Sequence, residues 1–195
     1  VSFRVFFIYF HFILLNYLHI FNYFHPSIHP SIHPSVHPSI HTYILPSFHP
    51  STPTPRPMYT QIIFKNLMIP MRDDTSLATD VYRPSQGGEL AAGTFPTILC
   101  RTPYVKESKR YVEIADFFVS KGYAVVLQYL LGRWYSEGIG QYHHVANDED
   151  GRDGYDTVEW IADQPWSNGK VGPVGSSFAA VVQARMAFER PPHLT

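Results

Sequence analysis

The residues best able to do chemistry lie near the end of the chain, in Val171-Gly172-Pro173-Val174-Gly175-Ser176-Ser177-Phe178-Ala179-Ala180. A short apolar run, a serine and then a helix-forming stretch is the pattern of a strand that turns abruptly into a helix. Such a turn can hold a serine at its apex, its hydroxyl pushed clear of the sheet and the helix N-terminus beneath it. Strand and helix nearly touch there, so the neighbours must be small. Gly175, two before Ser177, and Ala179 and Ala180, two and three after it, meet that need. Ser176 fits less well, since Val174 stands where a small residue is wanted. The chemistry would be nucleophilic attack by the Ser177 hydroxyl. Only G-x-S-x-A is present, however, and a Gly-Ser turn opening a helix equally describes an N-cap.

The surrounding pattern supplies elements to position that serine. Gln61–Pro70 and Ser76–Tyr82 are rich in β-formers and flank the polar tetrad Arg72-Asp73-Asp74-Thr75, which predicts a β-hairpin. Gln86–Gly93 reads as a loop. Phe95–Cys100 and Tyr123–Gln128 are short apolar runs suited to buried strands. Between them Glu107–Lys121 places Tyr111, Ile114, Ala115, Phe118 and Val119 on one helical face, stopped by Gly122. Asp153–Asp163 predicts a helix with Val158 and Ile161 inward, closed by the turn Gln164–Gly169. Val171–Gly175 is a brief strand, and Phe178–Arg190 a small-residue helix that ends before Pro191-Pro192. Strands alternating with helices predict an α/β fold, with a mostly parallel sheet covered on both faces and reactive groups where strands end.

Composition divides the 195 residues in two. Residues 1–57 hold no Gly, Lys, Asp or Glu and only two charges, Arg4 and Arg56; residues 58–195 hold all 16 acids against 13 basic residues, a net charge of −3. Neither part has the clustered Lys/Arg that a nucleic-acid partner requires. One cysteine, Cys100, excludes an intrachain disulfide framework, and no cofactor or metal site is expected. Asp148, Glu149, Asp150 and Asp153 miss the spacing of a calcium loop and read as a solvated loop and helix-start acids. His143 and His144 read as surface residues.

Val1–Phe24 is apolar and aromatic, but His11, Asn16, His19 and Asn22 interrupt it, so a membrane segment is the minority reading. From His25 the chain repeats His-Pro-Ser-Ile, where a proline every fourth residue forbids a helix. A CATC tandem repeat read in triplets encodes that same tetrapeptide. Residues 1–57 are therefore expected to be disordered or not genuinely coding. With Met58 as the start, the product would be cytoplasmic, and 58–195 would form the folded domain.

From about residue 64 to 190 the chain resembles the Xaa-Pro dipeptidyl-peptidase and cocaine-esterase group of α/β-hydrolases. The likeness rests on Ile69-Pro70-Met71-Arg72-Asp73, Leu77–Pro84, Arg101-Thr102-Pro103-Tyr104, Gly122–Val126, Ser136-Glu137-Gly138, Asp150–Asp153, Glu159-Trp160-Ile161 and Gln164–Gly172, in that order. The resemblance implies the N-terminal part of an α/β-hydrolase sheet with flanking helices, preceded by a disordered low-complexity segment. It also implies a serine hydrolase that cleaves small-molecule esters, amides or short peptides through an acyl-enzyme. Residue by residue, Ser177 matches the nucleophile, the backbone N–H of Phe178 one oxyanion donor and the Tyr104 hydroxyl the second, two donors aimed where charge develops.

The chain departs from the family in several places. Phe178 and Ala180 stand where the family has Tyr and Gly, so a methyl at 180 is expected to crowd the turn. Tyr129-Leu130-Leu131-Gly132 replaces Asp-x-Arg-Gly, a change expected to affect the local loop. In this fold the triad runs Ser, acid, His along the chain. After Ser177 come only Glu189 and His193, and neither is expected to serve. The chain is therefore expected to be an N-terminal fragment, nearly inactive, with the strand at Val171 left as an open sheet edge. The alternative is a non-catalytic relic or a membrane-tethered repeat protein with no turnover.

Overall fold

A computed structural model describes residues 58–140 and 148–195. The readings of residues 1–57, and of His143 and His144, fall outside the described residues. Two strands, β1 (Thr60–Pro70) and β2 (Ser76–Gln86), form the expected antiparallel hairpin. Its turn is closed by Met71 N–H to the Thr75 carbonyl at 2.8 Å, while the Asp73 carboxylate accepts from Thr75 N–H at 3.0 Å. Within the segment predicted as a loop, Glu89–Leu90 forms a short strand, β3, paired with β2. Gly87 and Gly88 explain it: both have positive φ, 61° and 87°, the backbone of a two-residue hairpin turn.

The remainder alternates as expected: β4 (Phe95–Thr102), α1 (Lys109–Ser120), β5 (Ala124–Tyr129), α2 (Asp148–Ala162), β6 (Ser167–Pro173) and α3 (Phe178–Phe188). Across the sheet the order is β1-β2-β5-β4-β6, with β5, β4 and β6 parallel and β1 and β2 antiparallel to their neighbours. Helices cover both faces. Against α1, Tyr111, Ala115 and Val119 pack on Cys100, Val125 and Leu127. On the other face Val158, Ile161 and Met186 pack on Leu99, Val126 and Val171. Each fully buried aliphatic contributes about 1.5–3 kcal/mol, so these two layers hold the parallel strands in register.

α2 begins at Asp148, five residues before its predicted start. Asp148, Glu149 and Asp150 thus lie in its first turn, where the helix dipole favours acids. The acids here are expected from sequence to form a solvated loop and helix start; Gly151 and Gly154 among them are what allows α3 to approach. A Cβ on Gly154 would stand 2.6 Å from the Met186 Cβ. The outer edge of β6 also differs from the expected open edge. Pro191-Pro192 turn the chain back alongside it, so that Val171 N–H donates to the His193 carbonyl at 3.0 Å and Thr195 N–H to the Val171 carbonyl at 2.9 Å. The Val171–Leu194 pairing is parallel.

Candidate active site

Ser177 stands at the junction of β6 and α3 with φ 55° and ψ −133°. A non-glycine residue there is strained by about 1–3 kcal/mol and persists only because its surroundings dictate it. An ordinary N-cap residue has extended backbone and a side chain bonded to the first helical N–H groups. Ser177 has neither: its backbone is not extended, its hydroxyl makes no capping bond, and the residue is exposed.

The tightness of the turn explains its composition. A Cβ on Gly175 would meet the carbonyl carbon and oxygen of Ala179 at 2.8 Å, so only glycine fits. Ala179 is fully buried, whereas Ala180 is exposed, so the methyl at 180 does not crowd the turn as expected. Phe178, the first residue of α3, packs on Leu130 and Val182, and its backbone N–H is one of the first-turn donors that have no partner within the helix, at the positive end of the dipole. Ser176 is engaged elsewhere, accepting a hydrogen bond from the Arg110 guanidinium of α1.

Tyr104 follows the end of β4, the strand adjacent to β6. Leu99 of β4 pairs with Pro173 of β6, so Tyr104 and Ser177 both lie beyond the carboxyl ends of neighbouring parallel strands. The start of the Tyr104 loop is fixed by Tyr104 N–H donating to the Thr102 hydroxyl at 3.0 Å, and Thr102 in turn bonds the Tyr111 hydroxyl at 2.6 Å. The phenol ring itself is half exposed. Beside it the loop after β5 presents Trp134, whose indole N–H donates to the Pro103 carbonyl at 3.2 Å, and the exposed Tyr135.

Two buried ionic clusters hold this edge of the sheet. Arg101, fully buried, donates from Nε to Gln128 Oε1 at 2.7 Å and from Nη1 to the Asp150 carbonyl, and faces Asp153 Oδ2 at 3.7 Å. Asp153 is thus a buried partner of a buried arginine rather than a surface acid at a helix start. Burial pushes its carboxyl up to about 6, with Arg101 opposing that shift. Lys106, also fully buried, lies 3.2 Å from Asp80 Oδ1, donates to Asn66 Oδ1 at 2.7 Å, and sits 4.0 Å from the centre of the Tyr129 ring. Tyr129 further donates to Glu107, so it ties the β4 loop to the end of β5. Sequence reasoning missed Lys106 because it opens the polar run Lys106-Glu107-Ser108-Lys109, which carries no sign of burial.

The surroundings of the other nucleophile and base candidates rule them out. Cys100 is buried, and burial pushes its thiol up to about 12, where no reactive thiolate forms. His193 Nδ1 lies 2.8 Å from Glu159 Oε2, and its ring borders Gly169 near the start of β6, whereas Ser177 lies past the strand's other end.

A sheet of this order, with its parallel centre and a strained serine between strand and helix, defines an α/β-hydrolase fold. The family model described as X-Pro dipeptidyl-peptidase (S15 family) matches residues 73–195, and the chain belongs to that family. It is 38% identical over 133 residues to the cocaine esterase of Rhodococcus sp. (strain MB1 Bresler), covering 64% of this chain and 21% of that protein. Among solved structures it is similar to an α-amino acid ester hydrolase (TM-score 0.58, 28% identity, 76% of this chain and 27% of that one). It is also similar to an aminopeptidase from a marine sediment archaeon, Thaumarchaeota archaeon (TM-score 0.57, 26% identity, 76% and 27%). The chain spans about a fifth of the length of the curated esterase it matches. The family is one of hydrolases acting on ester or peptide bonds.

Proposed function

We propose that this chain carries the nucleophile and oxyanion hole of a serine hydrolase, acting on a small ester, amide or short peptide. Ser177 attacks the substrate carbonyl carbon, the carbonyl electrons move onto oxygen, and the oxyanion is met by the Phe178 N–H and the Tyr104 hydroxyl. A downstream base takes the Ser177 proton and hands it to the alcohol or amine as collapse expels it, leaving the acyl group on Ser177 Oγ; water then releases the acid and returns a proton to the serine. The observation that carries this reading is the backbone of Ser177, strained at an exposed turn with its hydroxyl uncommitted to capping. The folded unit is 58–195.

The acid and the base of the triad have no counterpart near Ser177 among the described residues, and family order puts them later in the chain. Without that base the serine is a poor nucleophile, so the 195 residues by themselves are expected to turn over about 10⁶-fold more slowly than the triad-bearing enzyme. The test is fluorophosphonate labelling of an enzyme in which residues 58–195 are continuous with the downstream acid and histidine. Ser177→Ala abolishes labelling; labelling that survives the substitution refutes the assignment. Reading the transcript past the Thr195 codon decides between this and a relic without turnover: an acid and a histidine on a continuing sheet support the enzyme, an immediate stop supports the relic.

A further inference from the structure

At the opposite end of the sheet from Ser177, a cleft of about 140 Å³ opens between the β1–β2 hairpin and the end of α2. Its apolar walls are Phe64, Leu67, Trp160 and Trp166, and Arg83 of β2 forms the charged part of its lining. Arg83 is the unusual member. Its Nε has no accessible surface and no hydrogen-bond partner, and among the described residues its guanidinium forms no ion pair; its recorded contact is the Trp166 ring, 5.7 Å from centroid to Cζ. Burial lowers its pKa, with no anion acting in the other direction. Arg83 is half-buried, and an N–H shut off from water is costly unless an acceptor meets it.

We propose that this cleft binds a small monocarboxylate with a flat apolar body. The guanidinium fork matches a carboxylate in two parallel hydrogen bonds. The two indoles and Phe64 supply faces on which a ring can lie. The volume is comparable with that of a cavity known to accept benzene, so the body is one aromatic ring or its aliphatic equivalent. A phosphate would satisfy the arginine but leave the aromatic walls bare. Arg83 pairs with Ile62 in the hairpin register and lies one residue from Tyr82, which pairs with Val125 at the start of β5. The cleft thus adjoins the amino ends of the parallel strands, whereas Ser177 adjoins their carboxyl ends. Binding here is independent of the proposed nucleophile.

The experiment uses the 195-residue chain carrying Trp134→Phe, so that Trp160 and Trp166 alone report, titrated with benzoate and with benzyl alcohol, its uncharged counterpart. Benzoate is expected to change the fluorescence saturably, and benzyl alcohol to bind about tenfold or more weakly, the worth of a charge-assisted hydrogen bond. Arg83→Gln weakens benzoate by a similar factor and leaves benzyl alcohol unchanged; Arg83→Lys, which keeps the charge, falls between. Ser177→Ala binds benzoate as the parent does. Equal affinity for the two ligands, no benzoate binding, or full affinity in Arg83→Gln overturns the proposal.

Discussion

The Gln183 side-chain amide, in the second turn of α3, donates to the backbone carbonyl of Arg101 at 2.8 Å, so the helix that follows Ser177 is fastened to the strand that precedes Tyr104. Both groups are buried, and Gln183 also bonds the Ala179 carbonyl at 3.0 Å. Replacing Gln183 by Leu strands the Arg101 carbonyl and frees the two elements to shift. The expected cost is about 1–3 kcal/mol in urea unfolding. In the triad-bearing enzyme, fluorophosphonate labelling of Ser177 should slow as well. A substitution that leaves both unchanged means the tie does not set the geometry.

Ser177→Gly separates strain from chemistry. Glycine adopts positive φ freely, so the variant should unfold about 1 kcal/mol later than the parent in spite of losing its hydroxyl. Ser177→Ala keeps the strain and should gain nothing. Thermal melts of the two variants side by side give the answer; equal midpoints would show that the turn holds no strain.

Gly175→Ala should destabilise by about 1–3 kcal/mol, because the added methyl meets the backbone of Ala179 and neither strand nor helix can give way without disturbing the core. Denaturant midpoints provide the check. A neutral result would mean that β6 and α3 are farther apart than the turn requires.

Lys106 and Asp80 are both fully buried, and breaking such a pair from one side leaves a charge without compensation. Lys106→Met is expected to cost about 3–5 kcal/mol. Replacing both, Lys106→Met with Asp80→Leu, should recover part of that loss. A double-mutant cycle read by chemical denaturation tests the coupling, and additive losses would argue against it.

Asp153 gives stability a pH dependence of defined sign. Its carboxyl titrates near 6 in the folded chain, against an ordinary 3.8. The folded state therefore holds more protons than the unfolded state between those values. The stability it contributes is complete below pH 3.8 and is lost as pH rises through about 6. The stability difference between the parent and Asp153→Asn should move against the parent across that window and be flat above it. Melting curves from pH 4 to 8 measure this, and a constant difference would show that Asp153 does not titrate there.

What the chain reveals in one dimension follows the range of the interactions involved. Ser177 and its small neighbours are readable because the turn is local: one residue's φ and the space around Gly175 decide it. The strands and helices are readable because apolar spacing records which face is buried, as with Tyr111, Ala115 and Val119. Arg101, Lys106 and Asp153 escape that reading. Their partners lie 27, 26 and 52 positions away, at Gln128, Asp80 and Arg101, and a lysine in a polar run gives no hint that β-sheet residues will enclose it. The early start of α2 escapes for a related reason: Gly151 and Gly154 mark close approach of a helix that arrives some thirty residues later. His193 is tied to Glu159 because the chain turns back along β6, a path that no local pattern records.

The irregularity in β1 between Phe64 and Leu67 carries a consequence for how the protein can be dissected. Phe64 is opposite Val81 and Leu67 opposite Thr79, so one surplus residue lets two side chains three positions apart face the same way. Removing Lys65 alone would restore strict alternation with Leu67 still opposite Thr79 and on the same face as Phe64, so both apolar walls of the cleft would stay in place. The residue displaced would be Asn66, whose positive φ and hydrogen bonds to Asp80 and Lys106 belong to the irregular turn, so a single-codon deletion probes the enclosed lysine and leaves the aromatic walls alone.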